Sequence, residues 1–300
     1  MTTTDAKSHL AAPGILSTGT ASGPGPLCLQ GLGIGWRPEL ALAISRRPNL
    51  SFLEITAENH DPANLPPALL NLNKPIIPHG ISLSLGGADP IDPVRAQFLS
   101  TLAQRTNAPF VSEHIAFVRA GDKEAGHLLP IPRTRASLNI LIENIKAVQQ
   151  HLCVPLALEN ISTLFEWPNP EIPEPDFLTE VLERTDTLLL LDIANIWANA
   201  RNFKRDPAAD LDKLPLHRVA YIHVGGGIER NGVYHDTHAH PAPDGILDLL
   251  EELCTRIDSP AVMLERDDHY PPEPQLNVEL DRIAAAMTRG AARRTPAHAG

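Results

Sequence analysis

The sequence predicts a (β/α)8 barrel, a single α/β domain in which eight parallel strands alternate with helices. Eight short apolar runs are separated by helical or loop segments, and each run is continuously apolar instead of alternating with polar residues. Parallel strands that are covered on both faces have this character. Most of the runs stop at an acid, an amide or an imidazole, and parallel barrels carry their chemistry at the carboxyl ends of their strands. The pattern therefore predicts both the fold and the end of the barrel that holds a site.

The predicted strands and helices fill the chain with short connections. The strands are Leu32–Trp36, Ser51–Glu58, Pro75–Gly80, Phe110–Phe117, Val154–Asn160, Thr187–Asn195, Arg218–Gly225 and Ala261–Arg266. The helices, which have apolar residues at helical spacing, are Pro93–Arg105, Thr134–His151, Phe177–Glu183, Ala208–Lys213, Asp244–Arg256 and Asn277–Arg289. A doubly wound sheet is the alternative, but the first turn, residues 31–36, lacks the Gly-x-Gly-x-x-Gly order of a dinucleotide-binding fold.

These elements form one predicted catalytic domain, residues 29–290. Residues 1–28 are rich in Thr, Ser, Gly, Ala and Pro without periodicity, and we expect them to be disordered. Residues 291–300 have the same character and are expected to form a flexible tail.

Composition limits the kind of protein. A chain of 300 residues with 43% hydrophobic and 20% charged residues is typical of a globular protein. The formal net charge of −11 argues against nucleic acid as the main partner, because phosphate binding needs a basic surface. The longest apolar run, residues 187–193, is too short to span a bilayer. The three cysteines form no Cys-x-x-Cys pair, and no export leader is recognisable, so a cytoplasmic location is expected.

Polar side chains at the strand ends form the candidate site. A buried carboxylate at the end of an apolar run must be paired, protonated or bound to a metal. A single one can also be a helix cap or an ion-pair partner, but the whole set is harder to explain by structure alone. Its members are His79, Glu113, His114, Glu159, Asn160, Asp192, Asn195, His223, Glu265 and Arg266.

The densest local signal is the segment Tyr234–His240, which holds three histidines and an aspartate. In an extended segment Asp236, His238 and His240 point to one side and His235 points away. A solvated His-rich loop is the alternative interpretation. Carboxylates and neutral imidazoles without a thiolate favour iron, manganese or zinc. Because one octahedral ion with open positions needs about three or four protein ligands, the larger set predicts two or three ions bridged by carboxylates.

The chain resembles a known family, the multinuclear non-haem iron-dependent oxidative enzymes, which include the iron oxygenases of methanobactin biosynthesis. The resemblance spans about residues 32–283. It rests on the motifs PHGISLSL (78–85), VSEH (111–114), LPIP (129–132), LALENIS (156–162), LDIANIWAN (191–199), DTH (236–238) and ERD (265–267). The resemblance implies a xylose-isomerase-like barrel that binds two or three irons and uses O2 as co-substrate. It also implies a cysteine-containing precursor peptide, made on the ribosome, as substrate, commonly presented by a separate partner protein.

The resemblance also implies roles for the candidate residues. The implied metal ligands are His79, His114, Glu159, Asp192, His223, Asp236, His238 and Glu265. The resemblance implies as well that Asn160 and Asn195 are amides at or beside the metals. We further predict that Glu113, Asn160 and His240 support the ligands and that Asp192, Asn195 and Arg266 are catalytic. Arg266, His217 or a loop acid is a candidate proton shuttle.

The sequence departs from the family pattern at two places. Thr56 stands where His is common, and Gly227, in the run His223-Val-Gly-Gly-Gly227, stands where a second His is common. His235 or His240 could replace that second His, so the number of irons stays open. Two other functions also stay open. One is a zinc- or manganese-dependent hydrolase or sugar isomerase on the same barrel, and the other is a metal-binding protein without turnover.

Overall fold

The computed structural model describes residues 29–294, so the predicted disorder of residues 1–28 lies outside the described residues. The strands are β1 (Gly31–Gly35), β2 (Phe52–Thr56), β3 (Ile76–Gly80), β4 (Val111–His114), β5 (Phe117–Ala120), β6 (Lys123–Leu129), β7 (Leu156–Glu159), β8 (Leu188–Asp192), β9 (Val219–Val224), β10 (Ile228–Arg230), β11 (Val233–His235) and β12 (Ala261–Leu264). The helices are α1 (Ala41–Ser45), α2 (Pro67–Leu70), α3 (Pro93–Thr106), α4 (Arg135–Gln149), α5 (Glu174–Thr185), α6 (Ile193–Phe203), α7 (Pro207–Leu211), α8 (Asp244–Cys254) and α9 (Glu273–Arg293). Among residues 29–294, no helix combines the length and the apolar character that crossing a bilayer requires.

Eight of the strands are parallel and close into a barrel in the order β1-β12-β9-β8-β7-β4-β3-β2. The predicted (β/α)8 fold is therefore confirmed, and each predicted strand overlaps one barrel strand. The remaining strands form two antiparallel hairpins, β5–β6 and β10–β11. Each hairpin follows the carboxyl end of a barrel strand, β4 or β9. Both hairpins therefore extend from the end of the barrel that is predicted to hold the site.

The structure differs from the prediction at α6, which replaces the last part of the predicted strand Thr187–Asn195. Strand β8 stops at Asp192 because this carboxylate caps the next helix, its Oδ1 accepting a hydrogen bond from the Asn195 backbone N–H at 2.9 Å. Apolar residues on both sides of Asp192 hide this boundary in the sequence. At the end of the chain α9 continues to Arg293, so residues 291–293 are helical. The predicted tail beyond residue 294 lies outside the described residues.

Two apolar layers hold the barrel together. The larger layer packs the outer faces of the strands against the helices, as at Leu53, Ile222 and Leu250. The smaller layer, which we call the barrel plug, consists of Phe52, Ile77, Phe110, Ala157, Leu190, Tyr221, Ala261 and Met263. Because the interior of a parallel barrel is a packed core and not a pore, the plug leaves the carboxyl ends of the strands as the way into the barrel.

Candidate metal centre

The candidate ligands face the barrel interior because they continue the alternation of the barrel plug. Side chains two positions apart on a strand lie on the same face. Several candidates stand two positions after a plug residue: His79 after Ile77, Glu159 after Ala157, Asp192 after Leu190, His223 after Tyr221 and Glu265 after Met263. The polar side chains therefore form a layer directly above the plug.

These side chains assemble into four linked groups, in each of which the potential ligand atoms lie within 4.8 Å of one another. Group A is His79, His114 and Glu159, group B is Glu159, Asp192, His223 and Glu265, group C is Asp192, Asp236 and His238, and group D is His238, Glu265 and Asp267. Glu159 belongs to A and B, Asp192 to B and C, and Glu265 to B and D. A carboxylate has two oxygens with about two lone-pair sites each, so each of these three side chains is able to bridge two ions, through both oxygens as at Glu159 or through a single one as at Glu265.

Groups A and B are built from the barrel strands and the residue directly after β12. In group A, Glu159 Oε2 lies 3.3 Å from His79 Nε2 and 3.2 Å from His114 Nε2. In group B, His223 Nδ1 lies 2.9 Å from Glu265 Oε2 and 3.5 Å from Glu159 Oε1. The two oxygens of Glu159 thus face different groups.

Groups C and D depend on the loop that follows β11. His238 Nε2 lies 3.0 Å from Asp236 Oδ2 and 3.5 Å from Asp192 Oδ2. The other ring nitrogen, Nδ1, lies 3.0 Å from Glu265 Oε2. The backbone of His238 is left-handed, with φ 47°, and its carbonyl oxygen accepts a hydrogen bond from the Asp267 N–H at 2.9 Å. The loop therefore brings Asp236 and His238 together through a turn and not through an extended segment.

The glycine run after β9 lets this loop approach the barrel. A methyl group at Gly225 would lie 2.3 Å from Cδ2 of the His238 ring, and one at Gly226 would lie 2.4 Å from the His240 carbonyl oxygen. The His240 N–H donates to the Gly226 carbonyl oxygen at 3.2 Å. A larger residue at Gly225 has no room unless His238 moves away from groups C and D.

The ligand atoms lack ordinary hydrogen-bond partners, which tests whether metal ions fit the site. Within the described part of the chain, the buried ligand atoms without a partner are Glu159 Oε2, Asp192 Oδ2, His223 Nδ1, Asp236 Oδ1, His238 Nε2 and Glu265 Oε2. Each buried polar atom left unpaired costs about 1–3 kcal/mol. Cations placed between these atoms would satisfy them together. Imidazole and carboxylate donors suit iron, manganese or zinc, so the residues present fit such ions.

Burial and mutual charge shift the proton affinities of the ligands. Burial raises the pKa of Glu159 to about 7, although His114 and His223 partly oppose the rise. Burial alone would lower the pKa of His114, but the Glu159 and Glu113 carboxylates outweigh it and raise the pKa to about 9. Burial and the neighbouring His114 hold the pKa of His79 well below its usual range. Because ligands must be deprotonated to bind a metal, metal binding at this site releases protons.

The polar residues predicted to support the ligands hold the ligand backbone. Asn160 Oδ1 accepts a hydrogen bond from the Asp192 N–H at 2.9 Å, and Asn160 Nδ2 donates to the Asp192 carbonyl oxygen at 2.9 Å. Because the Asn195 N–H occupies Asp192 Oδ1, Asp192 Oδ2 faces the ligand layer. Glu113 accepts a hydrogen bond from the His114 N–H at 2.8 Å, which fixes the backbone of that ligand.

Two predicted site residues lie away from the ligand groups. The buried Arg266 guanidinium pairs with Glu279 of α9, so this placement does not support its predicted role as a proton shuttle. The His240 ring packs against the His269 ring with centroids 5.7 Å apart. His240 and His235, the two residues that could replace the second His, belong to none of groups A to D.

Two residues of the site are absent from the predicted ligand set, although one of them, Asp267, is part of the ERD motif. Asp267 completes group D, with Oδ2 3.5 Å from His238 Nδ1. Glu54 lies in the middle of β2, where a search of strand tips does not find it, and its Oε2 accepts a hydrogen bond from His223 Nε2 at 2.8 Å. Glu54 stands two positions after the plug residue Phe52. The alternation of side chains along a strand therefore predicts that Glu54 faces the barrel interior, although it is not at the end of its strand.

The ligand layer is the floor of a cleft of about 970 Å³. Its walls include the β5–β6 hairpin and the loops after β7 and β11. In the loop after β7, Leu164 and Phe165 are 59% and 43% exposed. Trp167 Nε1 donates to the Pro130 carbonyl oxygen at 2.7 Å and ties this loop to the segment after the hairpin. The cleft therefore has a polar floor beneath a partly apolar rim.

The fold and the polar layer define the class: a parallel (β/α)8 barrel with clustered potential metal ligands at the carboxyl ends of its strands. Residues 31–288 match the profile of a single family, described as RiPP precursor modification enzyme MbnB/TglH/ChrH. The chain belongs to this family, and the resemblance seen in its motifs is confirmed.

Relatives of known sequence support the same assignment. A UPF0276 protein of Streptomyces avermitilis is 47% identical over 273 residues, which are 88% of this chain and 56% of that protein. The chain thus spans about half the length of this relative. A UPF0276 protein of Bordetella bronchiseptica is 36% identical over 282 residues, which are 91% of this chain and 98% of that protein.

Solved structures with the same fold have little sequence in common with this chain. Endonuclease IV from Thermus thermophilus has a TM-score of 0.57 and 17% identity, and the match covers 87% of this chain and 100% of that structure. D-Psicose 3-epimerase from Clostridium cellulolyticum has a TM-score of 0.54 and 10% identity, covering 87% and 98%. At such low identity these likenesses establish the barrel fold alone.

Proposed function

We propose that this protein is a multinuclear iron-dependent oxidative enzyme that uses O2 to modify cysteine residues of a ribosomally synthesised precursor peptide. The observation that carries the proposal is the linkage of groups A to D through three shared carboxylates. Membership of a precursor-modification family supports a peptide as the class of substrate. Iron, when bound, supplies the one-electron and O2 chemistry that a cysteine oxidation needs.

We infer two or three ions from the way in which the groups share their side chains. Groups A and B each offer a place for one ion, with Glu159 between them. His238 occurs in both C and D, but a neutral imidazole has a single lone pair. His238 therefore serves one of these two groups at a time, which allows one further ion.

Asp192 and Asn195 act together: Asn195 lines the cleft, and Asp192 lies fully buried beneath it. The Asn195 N–H and the Asn160 side chain fix Asp192, so the free Asp192 oxygen keeps its position between groups B and C. The barrel plug excludes water from below, which strengthens the electrostatic interactions in the layer above it. A substrate thiol that reaches the floor meets the ligand layer from the cleft side.

The cleft admits a segment of a peptide but not a whole precursor. Its volume of about 970 Å³ is at the upper end of ligand pockets, which range from about 300 to 1,000 Å³. We therefore include a separate peptide-presenting partner in the proposal, because the rest of the precursor needs another binding surface. We also place the reaction in the cytoplasm, where cysteine thiols stay reduced until they reach the enzyme.

The test is metal analysis of protein purified without added metal or chelator, followed by measurement of O2 consumption. We expect two or three irons per chain and a Mössbauer spectrum of coupled ions. A peptide with cysteine, encoded by a short reading frame beside this gene, should stimulate O2 consumption, and its Cys→Ser variant should not.

Other outcomes would overturn the proposal. A single zinc or manganese per chain, with no O2 consumption, would favour a hydrolase or sugar isomerase on this barrel. Chains with no tightly bound metal would favour a protein without turnover. Coupled iron without any response to a cysteine peptide would remove the proposed substrate and leave the metal site intact.

A further inference from the structure

Three buried side chains with polar groups, one of them the plug residue Tyr221, lie directly beneath the potential metal ligands and belong to none of groups A to D. Glu54 comes from β2, Ser112 from β4 and Tyr221 from β9. Burying polar groups is costly unless each is hydrogen-bonded. Their presence at the centre of the barrel therefore calls for a physical reason.

These side chains form one continuous chain of hydrogen bonds that ends on two ligands. His79 Nδ1 lies 2.9 Å from Ser112 Oγ, which lies 2.7 Å from the Tyr221 hydroxyl. The Tyr221 hydroxyl lies 2.6 Å from Glu54 Oε2, and His223 Nε2 lies 2.8 Å from the same oxygen. His79 belongs to group A and His223 to group B, so this series of hydrogen bonds connects two different ligand groups.

The direction of every hydrogen bond in this chain follows from its one carboxylate. A carboxylate only accepts, so the Tyr221 O–H and the His223 Nε2–H both donate to Glu54. The proton of Tyr221 is then used, and its oxygen must accept from the Ser112 hydroxyl. The proton of Ser112 is used in turn, so Ser112 accepts from the Nδ1–H of His79.

This direction decides which nitrogen of each ligand is free for a metal. An imidazole that binds a metal is neutral and carries one proton, and in His79 and His223 that proton would then lie on the nitrogen that takes part in the hydrogen-bond chain. The lone pairs of His79 Nε2 and His223 Nδ1 therefore point at the ligand groups, where they lie 3.3 Å from Glu159 Oε2 and 2.9 Å from Glu265 Oε2.

We propose that Glu54 is a positioning residue which, through Tyr221 and Ser112, sets the tautomers of His79 and His223 together. The Glu54 carboxylate alone would thus leave one nitrogen of each histidine free to bind a metal ion. The proposal rests on the proposed function only in that groups A and B bind metal ions, and it requires neither O2 nor a peptide.

The test uses zinc as a diamagnetic probe on the full-length protein. In zinc-loaded wild type with 15N-labelled histidine, NMR should show the proton of His79 on Nδ1 and that of His223 on Nε2. Tyr221→Phe and Ser112→Ala should each lower the zinc affinity of group A by roughly 10- to 100-fold, the usual effect of removing a hydrogen-bond partner of a metal ligand.

Combining the variants shows whether the hydrogen bonds from Glu54 to His79 act as one unit, which we call the relay, or as independent contacts. The double variant should lose no more affinity than either single variant, because both changes break the same chain. Glu54→Gln should lower the affinity of groups A and B together. The matched control is Thr187→Val, which removes another buried hydroxyl at the amino end of β8 and should leave zinc affinity unchanged.

The outcomes distinguish this inference from the proposed function. Wild type that binds no zinc would overturn both. Wild type that binds zinc, with variants that bind it equally tightly or with His79 bound through Nδ1, would overturn the relay alone. Additive losses in the double variant would also overturn it. If Tyr221→Phe fails to fold, Ser112→Ala breaks the next link of the chain with a smaller change.

Discussion

At the scale of single residues, the carboxylates that two groups share would bridge neighbouring ions of the proposed centre. Glu159 presents one oxygen to group A and the other to group B, whereas Asp236 serves group C alone. In the proposed centre, a buried acid that serves two groups would hold two ions close together. The number of ions lost on substitution therefore depends on how many groups the residue joins.

We expect Glu159→Gln to lose the ions of groups A and B, and Asp236→Asn to lose the ion of group C only. An amide oxygen is uncharged and is a weaker ligand for these ions than a carboxylate. Metal analysis of the purified variants gives the count. Glu58→Gln is the matched control, because Glu58 lines the cleft but is in none of the four groups. Equal losses from both ligand variants would contradict the assignment of Glu159 as a bridge.

The two cysteines of the described residues should differ sharply in reactivity. Cys153 is exposed, whereas Cys254 of α8 is buried, and burial raises the pKa of the Cys254 thiol to about 12. Because the thiolate is the reactive form, Cys254 stays protonated and unreactive at pH 8. Iodoacetamide labelling followed by peptide mass spectrometry should modify Cys153 in the native protein and Cys254 only after denaturation. Labelling of native Cys254 at a comparable rate would contradict its burial.

At the scale of elements, the β10–β11 hairpin and the loop that follows it form one attachment, held to the rest of the molecule by hydrogen bonds. Tyr234 is a buried part of this attachment, and its hydroxyl accepts a hydrogen bond from the Gly227 N–H at 2.6 Å. Asp267 and Gly226 hold the end of the loop through backbone hydrogen bonds. The loop therefore depends on close backbone approach, which is what the glycine run provides.

Gly225→Ala should displace His238 and remove one metal ion while groups A and B keep theirs. The added methyl group would stand 2.3 Å from the imidazole, so the ring must leave its place. Metal analysis reports the lost ion.

Gly232→Ala, in the turn of the same hairpin, is the control for this prediction. Its methyl group meets no atom within 4 Å, but its φ of 77° is unfavourable for alanine. It should cost about 1 kcal/mol of stability and leave the metal content unchanged. If both variants lost the same ion, general weakening of the hairpin would explain the result better than displacement of His238.

At the scale of the whole molecule, α9 closes the barrel beside the first and last strands. The buried Arg266 follows β12 and pairs with Glu279 of α9, and Glu279 also accepts a hydrogen bond from the Ala242 N–H at 3.0 Å. Removing one partner of a buried ion pair leaves an uncompensated charge. This contact thus joins the last strand and the loop before α8 to the terminal helix.

Glu279→Ala should lower the free energy of unfolding by about 3–5 kcal/mol, the usual loss when a buried pair is broken. Arg46→Ala breaks an exposed pair with Glu273 of the same helix and should cost only about 0–1 kcal/mol. Urea denaturation of the metal-free proteins measures both. A loss at Glu279 as small as that at Arg46 would show that the buried pair contributes little to barrel closure.

The sequence predicts the barrel well because its signal is repeated eight times. Parallel strands buried on both faces are apolar throughout, so each strand is visible by itself. Helix α6 is missed because one residue, Asp192, both ends a strand and caps a helix. The short strands of the two hairpins carry no comparable pattern, since they lie outside the buried sheet.

The candidate site is predictable where a polar residue interrupts an apolar run, as at Glu159 and His223. The site is less predictable where a residue's place in it depends on contacts between strands or loops that are far apart in the sequence. Glu54 is found only by following the alternation of side chains across the strands, and the separation of His240 from the ligands depends on a left-handed turn at His238. Arg266 stands beside a ligand in sequence, yet strand alternation sends it to the opposite face.

The division of the ligands between barrel and loop has a consequence for how such proteins diversify. Groups A and B stand on the barrel itself, whereas C and D both need His238, which the loop after β11 supplies. In the proposed centre, the connection of residues 225–240 would supply the ligands of a third ion, whereas groups A and B would hold the other two on the barrel. Replacing that one connection would then change the number of ions on an unaltered barrel, so the nuclearity of the proposed centre would be free to change independently of folding.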